Sequence, residues 1–121
     1  MNHIILTSLL YQTIQYMGFQ SKVIRFDDTW ESIEVVEGYE KPPKAEFEAK
    51  LQELIDAQPL KDLRTERNKR LTQTDMYATL DYPHSNLEVQ QTWFDYRQAL
   101  RDLPSTTEDP ANPVWPVQPS P

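Results

Sequence analysis

The sequence predicts an α+β protein in which an N-terminal helix and a β-hairpin pack on helices, followed by a closing amphipathic helix and an extended Pro-rich C-terminal tail. Three features lead there. Apolar residues recur near helical spacing at the start, two short runs alternate around an acidic turn, and a capped segment near the end carries one apolar stripe. The expected organisation is a helix/hairpin/helix module over residues 1–58, a helical module over 59–104 and the tail over 105–121.

In the first segment Ile5, Leu6, Leu9, Leu10, Ile14 and Met17 follow helical spacing, and Gly18 stands where a left-handed cap would end the helix. The β-branched Ile4, Ile5 and Ile14 fit a strand equally well, so an N-terminal strand stays open as the alternative. Runs 22–26 and 32–36 then alternate about Asp27, Asp28, Thr29, Trp30 and Glu31, whose short polar side chains suit a hairpin turn. A hairpin alone is marginal in water, so it is expected to pack on a helix.

Gly38 and the Pro42-Pro43 pair break the pattern, and Pro43 suits the opening of a helix through Phe47, Leu51, Leu54 and Ile55. Glu46 and Glu48 favour its positive end, and Glu46 with Lys50 makes an i,i+4 pair. Pro59 is expected to restart or kink this helix, with Leu60, Leu63, Arg67 and Leu71 continuing one face. Residues 74–84 read as an ordered loop in which Met76, Tyr77, Leu80 and Tyr82 suggest docking. Ser85 with Glu88 has the form of a capping box opening a helix to about Leu103. Val89, Trp93, Tyr96, Leu100 and Leu103 form its stripe, with Phe94 and Ala99 beside it, and Arg97 and Arg101 form a basic ridge. Pro104 is expected to stop the helix. The tail is punctuated by Pro110, Pro113, Pro116, Pro119 and Pro121 and has polyproline II character.

Composition excludes several classes of function. The 121 residues allow one modest domain or two small modules, and 38% hydrophobic against 26% charged residues, with a mean hydropathy of −0.71, gives a thin core. A net charge of −7 disfavours nucleic acid and anionic membranes as partners. Lys61, Arg64, Arg67, Lys69 and Arg70 form a basic patch, read as a solvated helix face making weak ion pairs, with a dedicated anion-binding surface as the alternative. With no cysteine, disulfides and thiolate chemistry are excluded. The apolar content of residues 4–17 is too short for a membrane span of about 20 residues and lacks the basic lead of a signal peptide, which points to the cytosol.

Catalytic groupings are not found. His3 and His84 are far apart and belong to no ligand motif, and two glycines cannot supply a phosphate loop or a dinucleotide fingerprint. Asp27-Asp28 reads as a turn former. No catalytic residue, metal ligand or cofactor is therefore assigned. Trp115, framed by Pro113, Val114 and Pro116, must be exposed, fold back or insert into a partner; burying such a ring is worth ~2 kcal/mol or more.

Leu63-Arg64, Arg67, Leu71, Thr74-Asp75, Asp81 and Trp93, then the run from Tyr96 through Arg97, Gln98, Ala99, Leu100, Arg101, Asp102 and Leu103 to Pro104, and finally Trp115-Pro116, form one extended pattern. It resembles the phage tail assembly chaperone family, particularly small members from phages of marine cyanobacteria. The likeness covers Leu63 to Pro119, and the first half resembles a hairpin-plus-helix segment of some such phage proteins. Met76 departs from the family pattern, which usually has tryptophan after Thr-Asp, and this alters the loop's docking surface.

The resemblance implies a non-enzymatic, chaperone-like bacteriophage tail or tail-fibre assembly protein, acting by protein–protein binding in the host cytoplasm. Its partner would be a phage tail, tail-fibre or baseplate protein, with a homo-oligomer left open. The alternative is a permanent structural component of the virion's tail, baseplate or fibre, and a remote one is a cell-wall-degrading enzyme. The residues expected to meet the partner are Trp93, Tyr96, Arg97, Leu100, Arg101, Trp115 and Pro116. In that arrangement Trp115 enters an apolar groove and the two arginines contact its rim, unless they pair with Asp95, Asp102 or other local acids.

Overall fold

The computed structural model describes residues 1–120; Pro121, the last proline of the expected tail, lies outside the described residues. The chain is mostly helical, with α1 (His3–Tyr16), α2 (Lys44–Gln73) and α3 (Leu87–Thr106), and one two-stranded antiparallel sheet of β1 (Val23–Arg25) and β2 (Glu34–Val35). It divides into two compact units, Met1–Gln58 and Pro59–Pro121. No helix among the described residues is long and apolar enough to cross a membrane.

In the first unit, α1 forms as the helical spacing predicts, and the strand alternative is not taken. The Asn2 side chain accepts from the Ile5 N–H. At the other end Phe19 N–H donates to Ile14 C=O at 3.3 Å and Gly18 N–H to Gln15 C=O at 3.1 Å, with Gly18 at φ +80°. These two bonds are the Schellman pattern, which also brings the apolar residues on either side of the cap together. Here Ile14 and Phe19 share one core with Leu10, Ile33 and Phe47. Phe19 stands edge-on to Phe47 at 6.2 Å and stacks with Tyr39 at 6.0 Å.

The hairpin is shorter than its alternating runs suggest. Val23 pairs with Val35 and Arg25 with Glu34, an irregular register that uses up the extra residue in a bulge. Ser32 is taken by a 3₁₀ turn (Trp30–Ser32) instead of a strand, because the Thr29 side chain accepts its N–H and its own hydroxyl accepts from Asp27 N–H. Trp30 is held by its indole N–H on the Pro42 carbonyl at 3.1 Å, with the Lys41 ammonium 3.7 Å above the ring.

Four local expectations are corrected along the helices. Pro59 does not restart a helix: α2 continues through it for 30 residues in all. Proline lacks only the N–H that would have bonded the Ile55 carbonyl, and strong helix formers on both sides sustain the rest. Lys50 pairs with Glu53 at 3.2 Å and sits 3.8 Å over the Tyr16 ring, and not with Glu46. The cap of α3 is Asn86, one residue later than the Ser85 box; its side chain accepts from Val89 N–H at 2.9 Å. Pro104 also lies inside α3, which closes two residues later with Thr107 N–H on the Leu103 carbonyl.

Candidate functional site

The second unit is built around the stripe of α3. Trp93 and Leu100 are fully buried, and Tyr96 and Leu103 nearly so. Opposite residues on that helix, Gln91, Phe94, Gln98 and Arg101, border a shallow recess together with Ala78. Phe94 is therefore turned largely outward, and Ala99 is exposed.

The loop between α2 and α3 is divided by function. Residues 75–78 form a 3₁₀ turn (Asp75–Ala78) that lays Tyr77 flat on Trp93, ring centres 3.9 Å apart at 14°. Tyr82 meets Tyr77 edge-on at 4.9 Å, and a His84 ring nitrogen lies 2.8 Å from the Tyr77 carbonyl. His84 is thus half-buried and fastens the loop. Met76 and Leu80 do not dock: Leu80 is as exposed as a free side chain, and Leu87 at the start of α3 is 80% exposed.

Arg97 and Arg101 do not form one ridge. Arg97 is only 7% exposed. Its guanidinium donates to the Leu71 carbonyl at 2.8 Å, to the Thr74 hydroxyl at 2.9 Å and to the Asp75 carboxylate at 2.8 Å. It clamps the end of α2 and the start of the loop onto α3, and its acid is neither Asp95 nor Asp102. Arg101 stays exposed, with a 3.4 Å contact to Gln98 and its backbone carbonyl accepting from Arg67 at 3.2 Å.

Trp115 folds back. Its ring packs against the Trp93, Tyr96 and Leu100 cluster beside Leu71, and the Arg70 guanidinium lies 4.0 Å from its centre. Arg70 is oriented by Glu66 at 3.1 Å on the same helix face. Pro116 borders an adjoining recess of about 240 Å³ with Arg70, Tyr96 and Gln118. Of the seven residues expected to meet a partner, Trp93, Tyr96, Arg97 and Leu100 are inside the unit, Trp115 and Pro116 are half-buried, and Arg101 is open to solvent.

One cluster in the first unit went unseen in the sequence. The His3 ring nitrogens lie 3.0 Å from Asp27 and 3.1 Å from Asp28, and these three could hold a metal ion. A separation of 24 residues hides such a grouping from any local motif. The exposed Glu31 carboxyl is held below its ordinary value by a hydrogen bond from Lys44, which is raised in turn.

A family model described as phage tail assembly chaperone protein matches residues 60–120, nearly the whole of the second unit. No curated protein and no solved structure matches the chain.

Proposed function

The chain belongs to the phage tail assembly chaperone family, and from that premise we propose that it works without catalysis, by binding a tail, tail-fibre or baseplate protein in the host cytoplasm until that protein is incorporated. The family match over residues 60–120 carries this reading. The unit it covers supports it physically: its aromatic core is closed by its own loop and tail, while Met76, Leu80, Leu87 and Phe94 remain outside and available to another chain.

Co-expression with each tail, fibre and baseplate protein of the same phage tests the proposal. One of them is expected to become more soluble in the presence of the chain, and mass spectrometry of purified particles is expected to find the chain absent. Stoichiometric presence in the particles would replace the transient role with that of a permanent structural component. No change in the solubility of any of them would reject the binding role itself.

A further inference from the structure

We propose that the seat of Trp115 is a displaceable binding site, and that the tail occupies it as a stand-in for an extended client segment carrying a tryptophan beside prolines. The inference rests on the chaperone reading above and names the chemistry of what is bound.

The seat is built without the tail. Arg70 is set by Glu66 one turn earlier on α2, and Tyr96 and Leu100 are fixed by the stack of Tyr77 on Trp93. A guanidinium poised over an apolar floor selects an aromatic ring, tryptophan best of all, by its attraction to the π face.

The occupant is held by little else. Val114 and Val117, on either side of the anchoring pair Trp115-Pro116, are 85% and 90% exposed. Among the described residues, none from 113 to 120 makes a hydrogen bond; the last ones in the chain are the turn of Asn112 and Ala111 on Asp109. A segment anchored by Trp115 and the half-buried Pro113, Pro116 and Pro119, with no backbone bonds, is held largely because it is tethered, at an effective concentration on the order of millimolar. A competing segment then needs only the same ring and a similar restriction by neighbouring prolines, which lowers the entropy lost on ordering. The stretch from 107 to 114 can extend about 27 Å at ~3.4 Å per residue, enough for the released tail to clear the seat.

The test uses the full chain and a synthetic peptide of residues 112–118, which stands in for the client. Trp115→Ala is expected to bind the labelled peptide in anisotropy titrations. Wild type should bind it about tenfold more weakly, as follows from a trans affinity of ~0.1 mM against a tether of ~1 mM. Adding Arg70→Ala to Trp115→Ala should weaken binding at least fivefold. Equal binding to wild type and W115A, or none to a W115A chain with wild-type circular dichroism, overturns the proposal. Should W115A fail to fold, titrating the peptide into ¹⁵N-labelled wild type decides: amides of Val114, Trp115 and Val117 must shift as the tail leaves, and unmoved signals overturn it. Wild-type dimers in sedimentation that W115A abolishes would assign the seat to a second copy and overturn the client. The two readings fail separately, because co-expression solubility is measured with wild-type chain and does not depend on the peptide.

Discussion

Replacing Arg97 by methionine removes the guanidinium while keeping most of the side chain's length and apolar stem, so the loss isolates the polar clamp from the packing. Three donors disappear. Two of their acceptors, the Leu71 carbonyl and the Thr74 hydroxyl, lie at the buried end of α2, whereas the Asp75 side chain is 64% exposed and can turn to water. Each hydrogen bond from a charged donor to a buried acceptor is worth ~1.5–3 kcal/mol, and neither acceptor is left wholly unpaired, because the Leu71 carbonyl still accepts from the Thr74 N–H at 3.1 Å and the Thr74 hydroxyl still donates to the Arg70 carbonyl at 3.0 Å. Removing the cation also lifts the cost of burying it, so the sum is not reached and a loss of about 2–4 kcal/mol is expected. Asp75→Asn should cost no more than ~1 kcal/mol, because an exposed partner is screened. Urea unfolding followed both by far-ultraviolet circular dichroism and by the near-ultraviolet signal of the Tyr77–Trp93 stack measures this. Wild-type stability in R97M would refute the clamp, and D75N as damaging as R97M would show that the ion pair, and not the buried acceptors, dominates.

Core and surface aromatics should separate sharply: Phe47→Ala and Trp93→Ala are expected to lose ~3–5 kcal/mol each, and Phe94→Ala under ~1, in the same urea experiment. Gly18→Ala meets no atom within 4 Å yet must adopt φ +80°, so a loss of about 1 kcal/mol is expected from backbone strain alone, read as a lower melting temperature. Glu31→Gln probes pH: the lowered carboxyl of Glu31 contributes stability above its unfolded value and loses it as pH falls through the lower folded value. Urea midpoints of wild type and E31Q should therefore differ at neutral pH and converge in acid; a difference that does not change with pH would contradict the Lys44 pairing.

Much of the second unit was legible because its signals are local. The spacing of Trp93, Tyr96, Leu100 and Leu103 fixes a buried face by helical geometry alone, and those four are buried. Prolines misled for the same reason. A rule about one missing N–H says that Pro59 and Pro104 weaken a helix, but helices of 30 and 20 residues have enough remaining bonds to absorb the loss. The Ser85-to-Glu88 spacing has the form of a cap, yet Asn86 beside it is an equally good cap, and a one-residue choice of that kind is settled by how the preceding loop enters the helix.

Arg97 shows what the sequence could not reveal. Four residues separate it from Arg101, so on a helix drawn in isolation the two are neighbours with the same chemistry. The difference between them comes from the end of α2, where Thr74 and Asp75 arrive 22 to 23 residues earlier in sequence and cover only one of the two positions. Arg97 is then consumed by the fold while Arg101 is left to solvent. The same logic applies to Trp115, whose proline frame leaves its seat unspecified. Arg70 supplies the cation over its ring from 45 residues earlier, through a contact that only the folded unit creates. An exposed basic residue and an aromatic anchor therefore become distinguishable from structural ones only when the donor of the covering group is known. For that reason a variant at Arg101 should leave stability unchanged within ~0.5 kcal/mol while a variant at Arg97 does not.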